Sequence, residues 1–247
     1  MTNLEDLRVK IFADGADLAG IRATAAKPWI KGFTTNPTLM RRAGVADYAG
    51  FAREVLRAVP DRPVSFEVLA DDFDEMARQA LEIASWGPNV FAKIPVTDTR
   101  GTFSGPLIRR LAQAGVQINV TAVLTLKQVK AVAEHLAAGT PASLSVFAGR
   151  IADTGVNPLP VMSEALNILQ ARPKAELIWA SPREVLNIIQ ADAIGCHIIT
   201  VTADLLAKIP LLGKDHDRYS LETVQMFYRD ALAAGYTIPA ARRAGAA

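Results

Sequence analysis

Short apolar runs alternate with stretches of helical periodicity along the whole chain, and this alternation constrains the fold more than any other feature. Eight runs have the length and apolar content expected of buried strands, at residues 8–13, 31–35, 64–69, 89–94, 116–122, 143–147, 176–180 and 197–201. Most are apolar on both alternating faces, as expected where helices cover one face and a barrel interior lies on the other. The alternation therefore predicts parallel strands joined by helices.

The segments between these runs carry signals for helix ends. Patterns typical of a capping box begin at Asp72 and Thr125, each before apolar residues at helical spacing. Ser181, with a proline after it and a glutamate three positions on, predicts the N-cap of another helix. Ser220 predicts the N-cap of the last helix, which Gly235 is expected to end.

Eight such alternations in 247 residues favour an α/β fold of the (β/α)8 TIM-barrel type over an open, doubly wound sheet. An open sheet that binds a dinucleotide should show G-x-G-x-x-G after its first strand, whereas this chain has Asp14-Gly15-Ala16-Asp17 there. No long linker interrupts the pattern. We therefore predict a single barrel domain over residues 1–247, with an extra C-terminal helix and a flexible tail from about residue 237.

Charge and cysteine content indicate which partners and which compartment to expect. The 27 Lys and Arg residues nearly balance the 25 Asp and Glu residues, so bulk electrostatics predicts no binding to nucleic acid and none to a membrane. The N-terminal segment lacks the apolar region of a signal peptide, and no apolar stretch is long enough to cross a bilayer. Cys196 is the only cysteine, which rules out an intrachain disulfide. We therefore expect a soluble cytoplasmic protein.

Lys93 is the residue with the clearest chemical implication. It lies in the run 89–96, which otherwise has the composition of a buried strand. An ammonium group in such a strand loses water that apolar neighbours cannot replace, and this favours the neutral amine. A neutral lysine amine is the usual nucleophile for Schiff-base formation with a carbonyl. The alternative is a lysine whose stem lies on apolar surface while its head reaches water.

Further candidate residues lie at or just beyond the predicted carboxyl ends of the strands, where barrel enzymes carry their chemistry. Together with Lys93 they are Asp14, Thr34, Asn36, Glu67, Asn119, Thr121, Ser145, Phe147, Arg150, Ser181 and Arg183. Polar groups are costly to bury in a closed barrel unless they serve one another or a polar ligand. The set therefore predicts a polar site around Lys93.

Several of these residues also have a purely structural explanation. Asp14 could cap the following helix, and Asn36 could shape the turn before its proline. Glu67 could form a structural ion pair with Lys93. The two arginines could be surface residues paired with nearby carboxylates such as Asp153. Each residue alone leaves the choice open, and it is the set that favours chemistry.

The set contains the groups that a Schiff-base aldolase needs. Such an enzyme needs a lysine amine, a group that moves protons during carbinolamine formation, and a base near the hydroxyl whose deprotonation breaks the carbon–carbon bond. Lys93, Glu67 and Asp14 can fill these three roles. The side chains that can hold a polyhydroxylated substrate are Asn36, Asn119 and Ser145, and those that can clamp an anionic group at its far end are Arg150 and Arg183. A helix N-terminus at Ser181 would assist them.

The chain resembles the transaldolase family of class I aldolases over most of its length. The resemblance rests on an ordered set of motifs. They are Ala13-Asp14-Gly15, Thr34-Thr35-Asn36-Pro37, Phe66-Glu67-Val68, Ala92-Lys93-Ile94-Pro95-Val96-Thr97, Asn119-Val120-Thr121, Phe147-Ala148-Gly149-Arg150-Ile151 and Ala180-Ser181-Pro182-Arg183. The Thr-Thr-Asn-Pro segment and the lysine strand are the most specific of these.

This resemblance implies an eight-stranded barrel that needs no metal and no organic cofactor. It implies a Schiff base on Lys93, acid–base catalysis by Asp14, and a proton relay from Glu67 through a water molecule to Thr121. The residues that it assigns to the substrate are Asn36, Asn119 and Ser145 for a three-carbon dihydroxyacetone unit, and Arg150, Ser181 and Arg183 for a phosphate. We predict Thr34 and Phe147 as further substrate contacts. The implied partners are sugar phosphates, and the implied assembly is a homo-oligomer, either a pentamer or a decamer.

Within the family the chain resembles the short branch, which also contains fructose-6-phosphate aldolases. Those aldolases typically have glutamine at the position of Glu67 and tyrosine at that of Phe147, so this pair points to a transaldolase of carbohydrate metabolism, as in the pentose phosphate pathway. Gly15-Ala16 departs from relatives that often have hydroxyl residues there, which leaves the donor sugar open. The alternatives are an aldolase that releases free dihydroxyacetone, a transaldolase for another anionic ketose such as a sulfo-sugar, and a non-catalytic barrel that binds sugar phosphates.

Overall fold

The computed structural model describes residues 4–238, and its main feature is a closed barrel of eight parallel strands. The strands are β1 (Lys10–Asp14), β2 (Ile30–Thr34), β3 (Val64–Glu67), β4 (Val90–Pro95), β5 (Ile118–Val123), β6 (Ala142–Val146), β7 (Ala175–Trp179) and β8 (Ile198–Thr202). Each strand pairs with the next along the chain, and β8 pairs with β1 to close the barrel. The predicted (β/α)8 fold is confirmed, and each strand lies within about two residues of its predicted range.

Helices connect the strands of this barrel. They are α1 (Leu18–Ala25), α2 (Pro37–Arg42), α3 (Tyr48–Ala58), α4 (Phe73–Ser85), α5 (Gly105–Gln113), α6 (Leu126–His135), α7 (Ala148–Asp153), α8 (Leu159–Leu169), α9 (Leu186–Ala193) and α10 (Ala203–Leu206). Short 3-10 helices span Leu4–Asp6 and Ile209–Leu211. The strands are buried on both faces, which explains why their sequences are apolar at successive positions.

The barrel interior changes from apolar to polar along β1. Phe12 belongs to an apolar cluster with Ile178 and Ile198, and it shares a strand face with Asp14 two positions on. Gly32 on β2 makes room for the Phe12 ring, because a Cβ at Gly32 would lie 2.5 Å from that ring. An aromatic side chain therefore fills the barrel below the level at which the polar groups begin.

The predicted helix starts at Asp72 and Thr125 are confirmed. Asp72 is the N-cap of α4, and its side chain accepts hydrogen bonds from the amides of Asp74 and Glu75. Thr125 caps α6 in a complete capping box with Gln128. Residues next to each cap determine where these two helices start, which is why the sequence alone predicts both starts.

The predicted N-cap at Ser181 is wrong. The helix after β7 is α9, which begins at Leu186, and Ser181 has a left-handed φ of 60°. The amides of Arg183 and Glu184 both donate to Oδ1 of Asn187, which turns this segment before the helix starts. Gly149 contributes from outside the segment, because a Cβ there would lie 1.5 Å from the carbonyl oxygen of Ser181. The anion-binding site predicted around Arg150 and Arg183 therefore has no helix N-terminus at Ser181 to assist it.

By their contacts the described residues form two compact units, the barrel through Pro210 and a C-terminal unit from Leu211. The second contains the predicted extra helix, α11 (His216–Ala234), which has no buried residue. Asp215 is its N-cap, so the predicted start at Ser220 is wrong. Its predicted end is confirmed, since Gly235 follows it with a left-handed φ of 67°. Of the predicted flexible tail, residues 239–247 lie outside the described residues.

Within residues 4–238, no helix is both long enough and apolar enough to cross a membrane.

Candidate active site

A cavity of about 620 Å³ contains the residues at the carboxyl ends of the strands. Every residue that the sequence predicts for the site lines this cavity except Asn119. The parallel strands explain the convergence, because each one delivers its last residues to the same end of the barrel. The polar site predicted around Lys93 is thus one continuous space.

Lys93 lies in this cavity with only 6% of its surface exposed. Its Nζ is 3.2 Å from Oε2 of Glu67 and donates a hydrogen bond of 3.1 Å to the carbonyl oxygen of Thr35. Glu67 and Lys93 are register partners on β3 and β4, which explains their proximity. The amine is therefore held inside the barrel beside a carboxylate, and its head does not extend into bulk water.

Asp14 is the last residue of β1 and lines the cavity. Its carboxylate accepts hydrogen bonds from Oγ1 of Thr34 at 2.8 Å and from Nδ2 of Asn36 at 3.4 Å. Burial raises the pKa of Asp14 above its ordinary value of 3.8, although Lys93 and these two donors oppose the shift. The alternative that Asp14 caps the next helix is wrong, because Asp17 is the N-cap of α1.

Asn36 both caps a helix and lines the cavity. Its Oδ1 accepts a hydrogen bond from the amide of Leu39 and caps α2, while its Nδ2 donates to Asp14. The cap fixes the rotamer of the amide. Asn36 can therefore orient the carboxylate of Asp14 and still line the cavity.

Asn119 lies beneath the cavity, fully buried. Its Nδ2 donates to Oγ of Ser65 at 3.1 Å, and its Oδ1 accepts from Oγ of Ser145 at 2.8 Å. Ser145, in turn, lines the cavity. In this arrangement Asn119 orients Ser145.

Thr121 lies one inward position beyond Asn119 on β5 and lines the cavity. Its Oγ1 is buried and has no hydrogen-bond partner among the described residues. A buried hydroxyl without a partner is unusual and is explained where it meets a water molecule or a ligand. Thr121 is therefore the group in this site whose hydrogen-bonding capacity is most clearly left for a ligand.

The predicted anion-binding residues follow β6 and β7. The guanidinium carbon of Arg150 lies 5.0 Å from the ring centroid of Phe147, a stacking distance that orients the arginine. Arg183 donates from Nε to Oδ1 of Asp153 at 2.8 Å and from Nη2 to its Oδ2, and this hydrogen bonding lowers the pKa of Asp153. The structure therefore contains the Arg183–Asp153 pair that the sequence suggested as a structural explanation for Arg183. Arg150, in contrast, lines the cavity and has no ion-pair partner among the described residues.

The last strand supplies cavity residues that the sequence reasoning did not identify. Thr200 on β8 forms a hydrogen bond of 2.5 Å with Thr34, and both Thr202 and Asp204 line the cavity. The sequence contains a pattern that could have identified them, because Thr200 and Thr202 lie two positions apart on a strand and so share one face, as Asn119 and Thr121 do.

Comparison with solved structures supports the barrel fold. The chain is similar to 2,3-dimethylmalate lyase, with a TM-score of 0.54 and 13% sequence identity, over 98% of this chain and 89% of the other. It is also similar to 3-keto-L-gulonate-6-phosphate decarboxylase from Vibrio cholerae, with a TM-score of 0.54 and 12% identity, over 79% of this chain and 88% of the other. At such identities the likeness concerns the fold alone.

Sequence relatives are more specific. A probable transaldolase from Dehalococcoides mccartyi is 33% identical over 81% of this chain and 90% of its own length. Another, from Thermoanaerobacter sp., is 33% identical over 85% of this chain and 95% of its own length. A third, from Roseiflexus sp., is 36% identical over 78% of this chain and 85% of its own length. The family model described as transaldolase/fructose-6-phosphate aldolase matches residues 11–240. The chain is therefore an enzyme that belongs to the transaldolase/fructose-6-phosphate aldolase family.

Proposed function

We propose that the protein is a transaldolase that moves a dihydroxyacetone unit from a ketose phosphate to an aldose phosphate through a Schiff base on Lys93. The ketose is of the fructose 6-phosphate or sedoheptulose 7-phosphate type. The observation that carries the proposal is the position of Lys93, which lies buried in a polar cavity 3.2 Å from the Glu67 carboxylate. Asp14, whose pKa burial raises, lines the same cavity.

The first step joins the enzyme to the donor sugar. The neutral amine of Lys93 attacks the C2 carbonyl, and the carbonyl oxygen takes up a proton to give a carbinolamine. Loss of that oxygen as water leaves the iminium. Glu67 lies close enough to exchange protons with Nζ, and a water between Glu67 and Thr121 would use the unpaired hydroxyl of Thr121.

The second step breaks the carbon–carbon bond. Asp14 takes the proton of the C4 hydroxyl, and a C4 carbonyl forms as the C3–C4 bond breaks. The electron pair of that bond moves toward the iminium nitrogen, which leaves an enamine on Lys93 and releases an aldose phosphate. A raised pKa suits Asp14 to this task, because it makes the carboxylate a stronger base and brings its protonated form, which returns the proton in the reverse step, closer to neutral pH.

The third step transfers the three-carbon unit. The enamine carbon attacks the aldehyde of the acceptor, Asp14 returns its proton to the new C4 hydroxyl, and water then releases the product ketose from Lys93. The positions of Asn36 and Ser145 on the cavity wall suit hydroxyl contacts with the three-carbon unit. Phe147 and Thr34 line the same cavity.

Glu67 and Phe147 favour transfer over release of free dihydroxyacetone. Aldolases of the family typically have glutamine and tyrosine at these positions, so this chain has the transaldolase pair at both. The aldolase is nevertheless the nearest second candidate, since it would use the same lysine. Arg150 lines the cavity and would hold a terminal phosphate or, in a transaldolase for a sulfo-sugar, a sulfonate.

Reductive trapping tests the proposal. Borohydride in the presence of fructose 6-phosphate should leave a stable adduct on the peptide that carries Lys93, detected by mass spectrometry. Lys93→Arg should abolish the adduct and the activity, because a guanidinium keeps the charge but forms no imine. Lys27→Arg, on the surface beside Trp29, is the matched control and should trap as the wild type does. The absence of an adduct on Lys93 would refute the proposal.

A second measurement separates the candidates. Free dihydroxyacetone is assayed with the donor alone and then with erythrose 4-phosphate as acceptor. A transaldolase should transfer far faster than it releases dihydroxyacetone. Equal release with and without the acceptor would favour the aldolase. A barrel that only binds sugar phosphates would keep its binding in Lys93→Arg and give no turnover with either chain.

A further inference from the structure

Thr202 at the end of β8 and Asp204 on α10 line the cavity without a role in the steps above. Their position around the barrel is informative. β8 pairs with β7 on one side and with β1 on the other, and Asp14 and Thr202 are register partners. Thr202 and Asp204 therefore lie between the bond-breaking Asp14 and the segment after β7 that contains Ser181.

The carboxylate of Asp204 can accept hydrogen bonds but offers none. Its Oδ1 accepts from Oγ1 of Thr202 at 2.5 Å, and this bond lowers the pKa of Asp204, so the group is ionised at neutral pH. An ionised carboxylate repels phosphate and sulfonate groups. The uncharged groups of a sugar that it can bind are hydroxyls, which donate to it in charge-assisted hydrogen bonds.

The proposed reaction places two points of the substrate. The C4 hydroxyl lies at Asp14, and the terminal anion lies with Arg150 and Ser181 after β6 and β7. The carbon atoms between these two points then pass the end of β8. The first hydroxyl on that path belongs to C5 of the ketose, which is the α-hydroxyl of the aldose that leaves or accepts.

We propose that Thr202 and Asp204 recognise this α-hydroxyl and so select α-hydroxyaldehydes as acceptors. The inference rests on the proposed function and names a specificity-determining part of the same site. Asp204 is exposed and Thr202 is half-buried, so water can take the place of a missing hydroxyl and the expected discrimination is moderate. A purely structural role is the alternative, since Asp204 lies in the first turn of α10.

The test compares two acceptors that differ by one hydroxyl, glyceraldehyde 3-phosphate and 3-phosphooxypropanal, which lacks the 2-hydroxyl. For the wild type, kcat/KM should favour the hydroxylated acceptor by about twofold to tenfold, the range expected for a hydrogen bond that water can replace. Asp204→Asn and Thr202→Val should each reduce this ratio toward one, mainly by lowering kcat/KM for glyceraldehyde 3-phosphate. Asp61→Asn, whose exposed side chain precedes β3 at the opposite end of the barrel, should keep the wild-type ratio.

The outcomes are distinct. An equal loss with both acceptors in Asp204→Asn, or a wild type that does not discriminate, would overturn the assignment. If Asp204→Asn does not fold, Thr202→Val carries the same comparison, because it removes a hydroxyl and keeps the shape of the side chain. Trapping of wild-type Lys93 is measured in parallel. A trapped lysine with an unchanged ratio in the variants refutes this inference alone, whereas an untrapped lysine refutes the proposed function and the inference with it.

Discussion

Asp14 shows at the scale of one residue how burial in the cavity costs stability. Burial raises its pKa in the folded chain above the ordinary value of 3.8, so the ionised form is less favourable in the folded state than in the unfolded one. The contribution of Asp14 to the free energy of unfolding is therefore most favourable below about pH 3.8 and is lost as the pH rises through the raised folded pKa.

Asp14→Asn should separate catalysis from stability. We expect kcat to fall by about two to four orders of magnitude, because asparagine cannot take the C4 proton. The variant should also be more stable than the wild type at pH 8, and this advantage should shrink toward pH 4. Urea unfolding of both chains at the two pH values measures the difference, in which titrating groups that do not interact with Asp14 cancel. A constant difference across this range would contradict the assigned pKa direction.

Thr121→Val tests the unpaired hydroxyl. The substitution keeps the shape of the side chain and removes a buried oxygen that has no partner among the described residues. We expect a free energy of unfolding equal to that of the wild type or up to about 1 kcal/mol higher, since an unsatisfied polar group is lost. The kcat should fall by about tenfold if a water relay uses this hydroxyl. An unchanged kcat would exclude the relay.

At the scale of elements, β3 is held from outside the barrel by α3. The hydroxyl of Tyr48 on α3 donates a hydrogen bond of 2.7 Å to the carbonyl oxygen of Glu67, and its ring packs with Phe66 and Trp86. Burial raises the pKa of Tyr48 well above its ordinary value, so the phenol stays protonated and remains a donor. This contact fixes the backbone from which the Glu67 side chain reaches Lys93.

Tyr48→Phe should loosen Glu67 while keeping the aromatic packing. We expect a loss of about 1 kcal/mol in the free energy of unfolding, typical of one hydrogen bond, and a severalfold lower kcat with little change in KM. Tyr228→Phe on α11 is the matched control, because Tyr228 is 67% exposed. A rise in KM with unchanged kcat would instead indicate that Tyr48 affects substrate binding and not the proton transfers.

At the scale of the whole molecule, Cys196 reports on global unfolding. It is buried just before β8, and burial raises the pKa of its thiol to about 12. The native chain should therefore react with a disulfide reagent only through unfolding, at a rate that rises with urea in parallel with the loss of the helical circular dichroism signal. Rapid labelling without denaturant would contradict this burial.

The sequence predicts those features of the molecule that neighbouring residues determine, and it does not predict those that depend on contacts between distant segments. The strands follow from apolar runs, and the cap at Thr125 follows from its partner three residues away. The turn at Ser181 depends on Gly149, a contact between distant segments that no local pattern contains. The position of Asn119 beneath the cavity depends likewise on the depth at which β5 presents its inward residues, which register between strands determines.

If Arg183 binds the substrate phosphate, as the sequence predicts, its pairing with Asp153 competes with that phosphate. The phosphate would then displace the Asp153 carboxylate, which would return to Arg183 when the product leaves. This competition would lower the affinity for the phosphate and speed product release, which suits the proposed transfer, in which one aldose leaves before another binds. Asp153→Asn should lower KM for the phosphorylated ketose and slow product release, measured by stopped-flow kinetics.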